Sequence, residues 1–209
     1  MANQKPMLRF GIKNVRYALP DASGSYTSSQ IKSLGGAASI TLESQYTEQE
    51  IYADGRIINV IATDRGLDGT LEIVNLNDEY EIDMGRKMRL ANGIADVEQK
   101  KNQKHAIYFE TEGTYDDGDI FTIKTWLYGV TSGKPNETYE QNSDAGINHQ
   151  NYSIPLNILG TLLMEEDGLT EYVDEKGNTR KVWKYSSTPN DPGYDTFHES
   201  VPVPKVSGV

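Results

Sequence analysis

Glu48-Gln49-Glu50-Ile51-Tyr52-Ala53-Asp54-Gly55-Arg56-Ile57-Ile58-Asn59-Val60-Ile61-Ala62-Thr63 is the stretch on which the fold turns. Two strand-like runs flank Asp54-Gly55, a preferred pair for a two-residue type I′ turn whose central residues both need positive φ. Residues 56–63 are rich in β-branched side chains, which suit a pleated surface. The stretch predicts a long hairpin, and the sequence around it continues the β pattern. Upstream, Ala38, Ile40 and Leu42 alternate with Ser39, Thr41 and Glu43, a clean period of two. Further back, Phe10, Ile12, Val15, Tyr17 and Leu19 alternate with a change of phase at Lys13-Asn14, which predicts a strand with a bulge. Residues 20–36 read as a polar Ser/Gly loop.

Downstream, a turn is expected at 64–68 and a strand at 69–76, with Leu71 and Ile73 opposing Thr70, Glu72 and Val74. One short helix is persuasive. Asn77 serves as N-cap, Asp78 and Glu79 suit the helix dipole, Tyr80, Ile82 and Met84 supply apolar contact, and Gly85 stops it. A second helix at 95–103 lacks a continuous apolar face. Residues 105–112 and 120–130 read as a second strand pair around the acidic tip Asp116-Asp117-Gly118-Asp119. Ile107 and Phe109 are assigned to one face of it, and Phe121, Ile123, Thr125 and Leu127 to another. Residues 139–148 are loop-like, and 151–163 form a further strand in which Pro155 favours an edge or a bulge. Residues 171–174 and 180–185 can pair across Gly177-Asn178. Residues 188–204 hold Pro189, Pro192, Pro202 and Pro204 and read as an extended arm outside the core. There is no internal repeat.

Composition narrows the function classes. A chain of 209 residues is long enough for one domain with a sizeable core, or one domain with an appendage. Hydrophobic residues are 36% of it, so much of the chain must sit in solvent-facing strands and loops. No stretch approaches the roughly 20 apolar residues of a membrane span, and no membrane partner is expected. Residues 1–6 are polar with no apolar run after them, so a secretory signal is not expected. Without cysteine there is no disulfide framework and no thiolate site. A net charge of −11 argues against a protein that grips nucleic acid by its phosphates. Thirteen tyrosines against four phenylalanines suit half-wet sheet faces or protein contacts.

His105, His149 and His198 stand at no metal-ligand spacing. The Asp116–Asp119 tip lacks the alternating oxygens and distal glutamate of an EF-hand. Gly24, Gly35 and Gly36 belong to no phosphate-cradling pattern, and no nucleophile elbow occurs. Carboxylates are too numerous for spacing to single out a glycosidase pair. Arg86-Lys87-Met88-Arg89 and Lys100-Lys101-Asn102-Gln103-Lys104 are the basic clusters. Neither has base-stacking aromatics, so each reads as solvated loop charge or as a patch complementary to an acidic neighbour. Asn136-Glu137-Thr138 and Asn151-Tyr152-Ser153 match a glycosylation pattern by chance. The expectation is therefore no catalytic, no cofactor-binding and no metal-ligating residue, and not an enzyme.

The chain nevertheless resembles a known family. Residues 9–18 (RFGIKNVRYA), 37–43 (AASITLE), 50–55 (EIYADG), 69–73 (GTLEI) and 78–85 (DEYEIDMG), in that order and spacing, look like the major tail proteins, or tail tube proteins, of long non-contractile-tailed phages of Gram-positive bacteria. The likeness covers about residues 8–130; the strand at 151–163 fits less closely, and residues from 169 onward are not placed. The resemblance implies a mainly β subunit, a β-sandwich or barrel-like domain with one short flanking helix, long hairpins and extended terminal arms. Residues 1–168 would form the tube domain and 169–209 a C-terminal hairpin and Pro-rich arm. Such subunits form hexameric rings that stack into the tube through which DNA leaves. Implied partners are copies of itself and other tail proteins such as the tape measure and terminator, with DNA passing unbound. The implied location is the virion, after assembly in the host cytoplasm. A ring of copies at −11 each would repel phosphate wherever its acids face inward. Two other readings compete: another virion ring protein, such as a tail terminator or capsid decoration protein, and a carbohydrate-active β-sandwich enzyme.

Overall fold

The computed structural model describes residues 8–22, 24, 26, 30–115, 118–138 and 151–206. It is mainly β. The strands are β1 (Leu8–Ala18), β2 (Ile31–Ser33), β3 (Gly35–Ala53), β4 (Arg56–Leu76), β5 (Lys87–Leu90), β6 (Gly93–Asp96), β7 (His105–Thr114), β8 (Ile120–Ser132), β9 (Asn136–Thr138), β10 (Asn151–Ile158), β11 (Thr161–Leu162), β12 (Lys181–Val182) and β13 (Lys184–Ser187). A single helix, α1 (Asp78–Asp83), follows β4. The main sheet runs β2-β1-β7-β8-β10-β4-β3, with β13 added on β8 and β9 on β10. It curls until β3 lies beside β1, without a hydrogen-bonded ladder between them among the described residues.

The decisive hairpin is present and longer than its sequence signals. Asp54 and Gly55 adopt φ of 52° and 73°, the pair of positive angles a type I′ turn needs. The turn expected at 64–68 does not exist: β4 runs through it unbroken to Leu76. Gly66 absorbs the irregularity with φ of 108°, where the β3–β4 register slips between Ser44 and Tyr46. A side chain there would also meet the Ile158 carbonyl at 2.3 Å. Glycine at 66 therefore bends a strand against a neighbour and does not end it. The expected bulge in β1 is real. Asn14 sits at φ 52°, an angle asparagine tolerates, and its amide donates to Glu110 at 2.7 Å. Pro155 lies inside the sheet, paired with Thr70 of β4. On its other side it falls between the β9 and β8 ladders, where its missing N–H costs no strand bond.

The 105–112 and 120–130 rows prove to be one face and not two. Ile107 opposes Leu127 and Phe109 opposes Thr125, and cross-strand partners share a face. That face joins Val15, Tyr17, Leu71, Ile73, Ile154 and Leu156 in the main core. The opposite face carries Tyr108, Trp126 and Tyr128, and it is covered by the C-terminal segment. Here the reading of 188–204 as an arm outside the core is corrected. Phe197 and Val201 are buried, Trp126 Nε1 donates to the Phe197 carbonyl at 2.8 Å, and Tyr128 Oη donates to the Pro202 carbonyl at 2.8 Å. Lys124 Nζ reaches the carbonyls of Tyr194 (2.8 Å) and Asp195 (3.1 Å) and stands 4.2 Å from the Tyr194 ring centre. Prolines broke the strand pattern here, while the anchoring depends on aromatic donors some 70 residues earlier. The expected pairing across Gly177-Asn178 shrinks to a bridge between Val173 and Thr179. The following residues pair instead with β11 and β8.

α1 follows the sequence closely. Asn77 accepts from the Glu79 amide at 3.0 Å, and Gly85 leaves the helix at φ 72°. The stretch after it forms the β5–β6 hairpin, and residues 95–103 form no helix. The basic run 86–89 is neither solvated charge nor a free patch. Arg86 is buried against Glu81 (3.2 Å), Lys87 pairs with Asp78 (2.8 Å), and Arg89 pairs with Glu79. Arg86 also donates to Ser132 Oγ (2.6 Å) and the Gly133 carbonyl (2.5 Å). Beside it the Tyr80 hydroxyl meets Ser132 Oγ at 2.8 Å and His105 Nε2 at 3.1 Å. These groups bolt α1 to the ends of β7 and β8.

Two predictions follow from this packing. Phe197→Ala should cost about 3 kcal/mol in urea unfolding and make residues 188–206 the first site of limited proteolysis. His105 supplies the second. Burial first, and Arg86 after it, lower its pKa from 6.5 to about 4 against the pull of the Gln103 carbonyl. Between those values the unfolded chain binds a proton that the folded one refuses, so stability falls as pH drops through that window, by about 3 kcal/mol in all. Glu81, raised by burial, works in the opposite sense across the carboxylate range. Comparing the pH dependence of unfolding free energy for the native chain and His105→Gln isolates the histidine: the variant should lose the slope above pH 4.5.

Candidate self-assembly surface

Beyond Gly66 the β3–β4 hairpin leaves the sheet. β10 pairs with β4 only over Leu67 to Ile73, and β3 has β4 as its sole strand partner among the described residues. From Tyr46 to Asp64 the pair is thus, among the described residues, a two-stranded ribbon with an unpaired backbone edge on each side. It reaches roughly 30 Å from the core at about 3.4 Å per residue. A two-stranded ribbon alone is marginal in water, and an open, apolar edge is a template for another chain.

The side chains agree with the backbone. Tyr52 and Ile58 are each 63% exposed, and Tyr46, Ile57, Val60 and Ile61 about half exposed. Covering such a side chain is worth on the order of 1 kcal/mol. The register sorts the ribbon into two faces. On one, Tyr46 opposes Asp64, Glu48 opposes Ala62, and Glu50 opposes Val60. On the other, Thr47 opposes Thr63, Gln49 opposes Ile61, and Ile51 opposes Asn59. One face is acidic; the other bears no acid and, at the tip, one cation, Arg56 opposite Ala53. On the acidic face Tyr46 donates to Glu48 at 2.5 Å, and Tyr52 donates to Glu50. Those bonds hold both phenols above their ordinary pKa. No Lys or Arg is ion-paired to Glu48, Glu50, Asp54 or Asp64 among the described residues.

The opposite end of the molecule mixes acids and bases, with one short basic run at 100–104. Pairings run in one row across the sheet, Leu67 to Ile158 to Val130 to His105. From that row the ribbon departs in one direction. α1, the β5–β6 hairpin and residues 97–104 lie in the other, because β7 runs antiparallel to β8 and begins there. Lys100, Lys101 and Lys104 are exposed. Gln99 Nε2 donates to the Met84 carbonyl at 3.2 Å and holds this segment against the end of α1. Met84, Met88 and Val97 line a shallow cleft there with Lys100 and Lys101. Met88, Leu90 and Ile94 leave large apolar area open on the β5–β6 hairpin.

The histidines come to no common place. His105 is buried beside Tyr80, His198 lies 3.2 Å from Lys124 Nζ, and His149 falls outside the described residues. So do Asp116 and Asp117 of the acidic tip and the loop expected at 139–148. Asn136 and Asn151 lie on neighbouring strands β9 and β10. Among the described residues no three His, Asp or Glu are grouped to hold a metal ion, and no helix is long and apolar enough to cross a membrane. The two-faced ribbon was only half legible: the Asp54-Gly55 turn announced it, while its length and its open edges depended on where β10 stops.

No family model matches the chain. No curated protein matches it either. Among solved structures, one similar to it is the cryo-EM structure of the anti-feeding prophage (AFP) baseplate, 6-fold symmetrised, with 7% identity and a TM-score of 0.35 over 69% of this chain and 86% of that one. An overlap that loose identifies neither a shared fold nor a shared role.

Proposed function

We propose that this chain is a structural virion protein, and more finely a tail tube subunit that self-assembles as stacked hexameric rings around a DNA conduit. It performs no catalysis and takes no cofactor. The observation that carries this reading is the ribbon from Tyr46 to Asp64, with two open edges and large apolar side chains in solvent. Ribbons of sister copies complete those edges and close a barrel, which removes the aggregation hazard each ribbon poses alone. Its acidic face supplies the electrostatics of a conduit. With Glu48 and Asp64 turned inward in every copy, the bore repels phosphate and DNA slides without sticking. The face without acids, with Ile51 and Ile61, then turns toward the body of the tube. Other tail proteins, such as a tape measure and a terminator, are its further partners, and the virion is its destination.

Electron microscopy of concentrated protein tests this directly. Tubes of stacked rings are expected. A chain that stays monomeric at every concentration, and also with tail assembly partners, overturns the reading. A single ring or a shell-bound oligomer indicates another kind of virion ring protein. Replacing residues 47–63 by an Asn-Gly turn between Tyr46 and Asp64, which already face each other, should abolish assembly. The shortened chain should keep the circular dichroism of the native one and lose no more than about 1 kcal/mol of stability, since the ribbon sits outside the core. Tubes carrying Glu48→Lys with Asp64→Lys should retain DNA at low salt in a filter assay and release it at high salt.

A further inference from the structure

The two ends of the molecule are complementary. At the ribbon tip, Tyr52, Ile57 and Ile58 stand exposed beside Glu50 and Asp54. At the far end of the sheet, Met84, Met88 and Val97 line an open cleft with Glu98, Lys100 and Lys101, and Lys104 follows, so the cations prevail there. None of these three lysines has a carboxylate partner among the described residues, in a chain of net charge −11. The carboxylates of Glu50 and Asp54 likewise have no cation partner among the described residues. Within one chain these groups cannot meet, because the register sends ribbon and cleft away from the sheet in opposite directions.

We infer that the ribbon tip of one copy docks in the Met84–Met88–Val97 cleft of a second copy, with Glu50 and Asp54 set against Lys100 and Lys101. The inference rests on the self-assembly reading above and names one of its contacts. Charge disfavours the symmetric alternatives: Glu50 and Asp54 outnumber Arg56 at a tip, and Lys100, Lys101 and Lys104 outnumber Glu98 at a cleft, so like surfaces repel on balance. The contact joins two different surfaces, so the copy whose tip is docked still offers a free cleft and the copy whose cleft is filled still offers a free tip. A contact of that kind propagates or closes into a ring, and it gives the assembly a direction. Apolar side chains of the tip fill the cleft while the charges set the register, the usual division of labour between an interface centre and its rim. Glu48 and Asp64, farther down the ribbon, remain for the bore.

Charge exchange is the test. Lys100→Glu with Lys101→Glu should raise the concentration needed for sedimentable assembly at least about tenfold, and Glu50→Lys with Asp54→Lys should do the same. All four positions are solvent-facing, and unchanged thermal unfolding of the monomer verifies that each variant is folded. The chain carrying all four changes should assemble again. A charge-reversed variant that assembles like the native chain, or a quadruple variant that stays unassembled, overturns the contact and leaves the self-assembly reading standing. Native protein that never assembles overturns both. A second measurement uses the absence of cysteine from the chain. Mixing Asp54→Cys with Lys101→Cys under oxidising conditions should give the mixed disulfide dimer, whereas symmetric dimers alone overturn the contact.

Discussion

A strand satisfies its backbone only when both edges find partners, and beyond Gly66 β3 and β4 each keep one edge open among the described residues. Everything distinctive in the molecule follows from that constraint. The hairpin is stiffened from within by its own ladder and by a turn of the twist-matched type, so it holds its shape in solvent. It is anchored where Leu67 meets Ile158 and the sheet begins. Past that row there is no second layer to cover its apolar side chains. The unmet demand is therefore both a backbone demand and a side-chain demand, at the same place.

Behind the ribbon the rest of the chain supplies a rigid mount. The sheet curls around one core of β-branched and aromatic side chains, and the reverse face of β7 and β8 is sealed by the C-terminal segment. A buried cluster of Tyr80, Glu81, Arg86, His105 and Ser132 locks the helix to the strand ends. Such a pair of buried charges adds little net stability, but removing one partner strands the other in low dielectric. Its value here is positional. It holds α1 and the start of β7 at a set orientation, and with them the segment that carries Lys100, Lys101 and Lys104.

Legibility followed the range of the interaction. Asp54-Gly55, the Asn14 bulge and the Asn77 cap were all readable, because each is decided by the φ preference or hydrogen bonding of one or two adjacent residues. Gly66 was misread as part of a turn because a glycine that bends a strand and one that ends it look alike in sequence. Its true role depends on the Ile158 carbonyl, far along the chain. The facing of Ile107 and Leu127 was misassigned for a related reason: alternation fixes sides within a strand, and only the pairing register says which sides match. Arg86 looked like one member of a surface run, yet the turn after α1 aims it inward at Glu81 and Ser132.

From the residues alone came the β class, the hairpin turn, the single capped helix and an acid excess ill-suited to gripping phosphate. These depend on local conformational preference and on summed charge, which neighbours in space do not alter. The tertiary structure decided the rest. It determined where β10 stops supporting β4, which acids share a ribbon face, and that the prolines near the C-terminus carry Phe197 and Val201 into a core. It also placed Lys100, Lys101 and Lys104 at the end of the sheet away from the ribbon. Each of these outcomes turns on contacts between residues tens of positions apart, whose energies appear only once the chain has closed on itself.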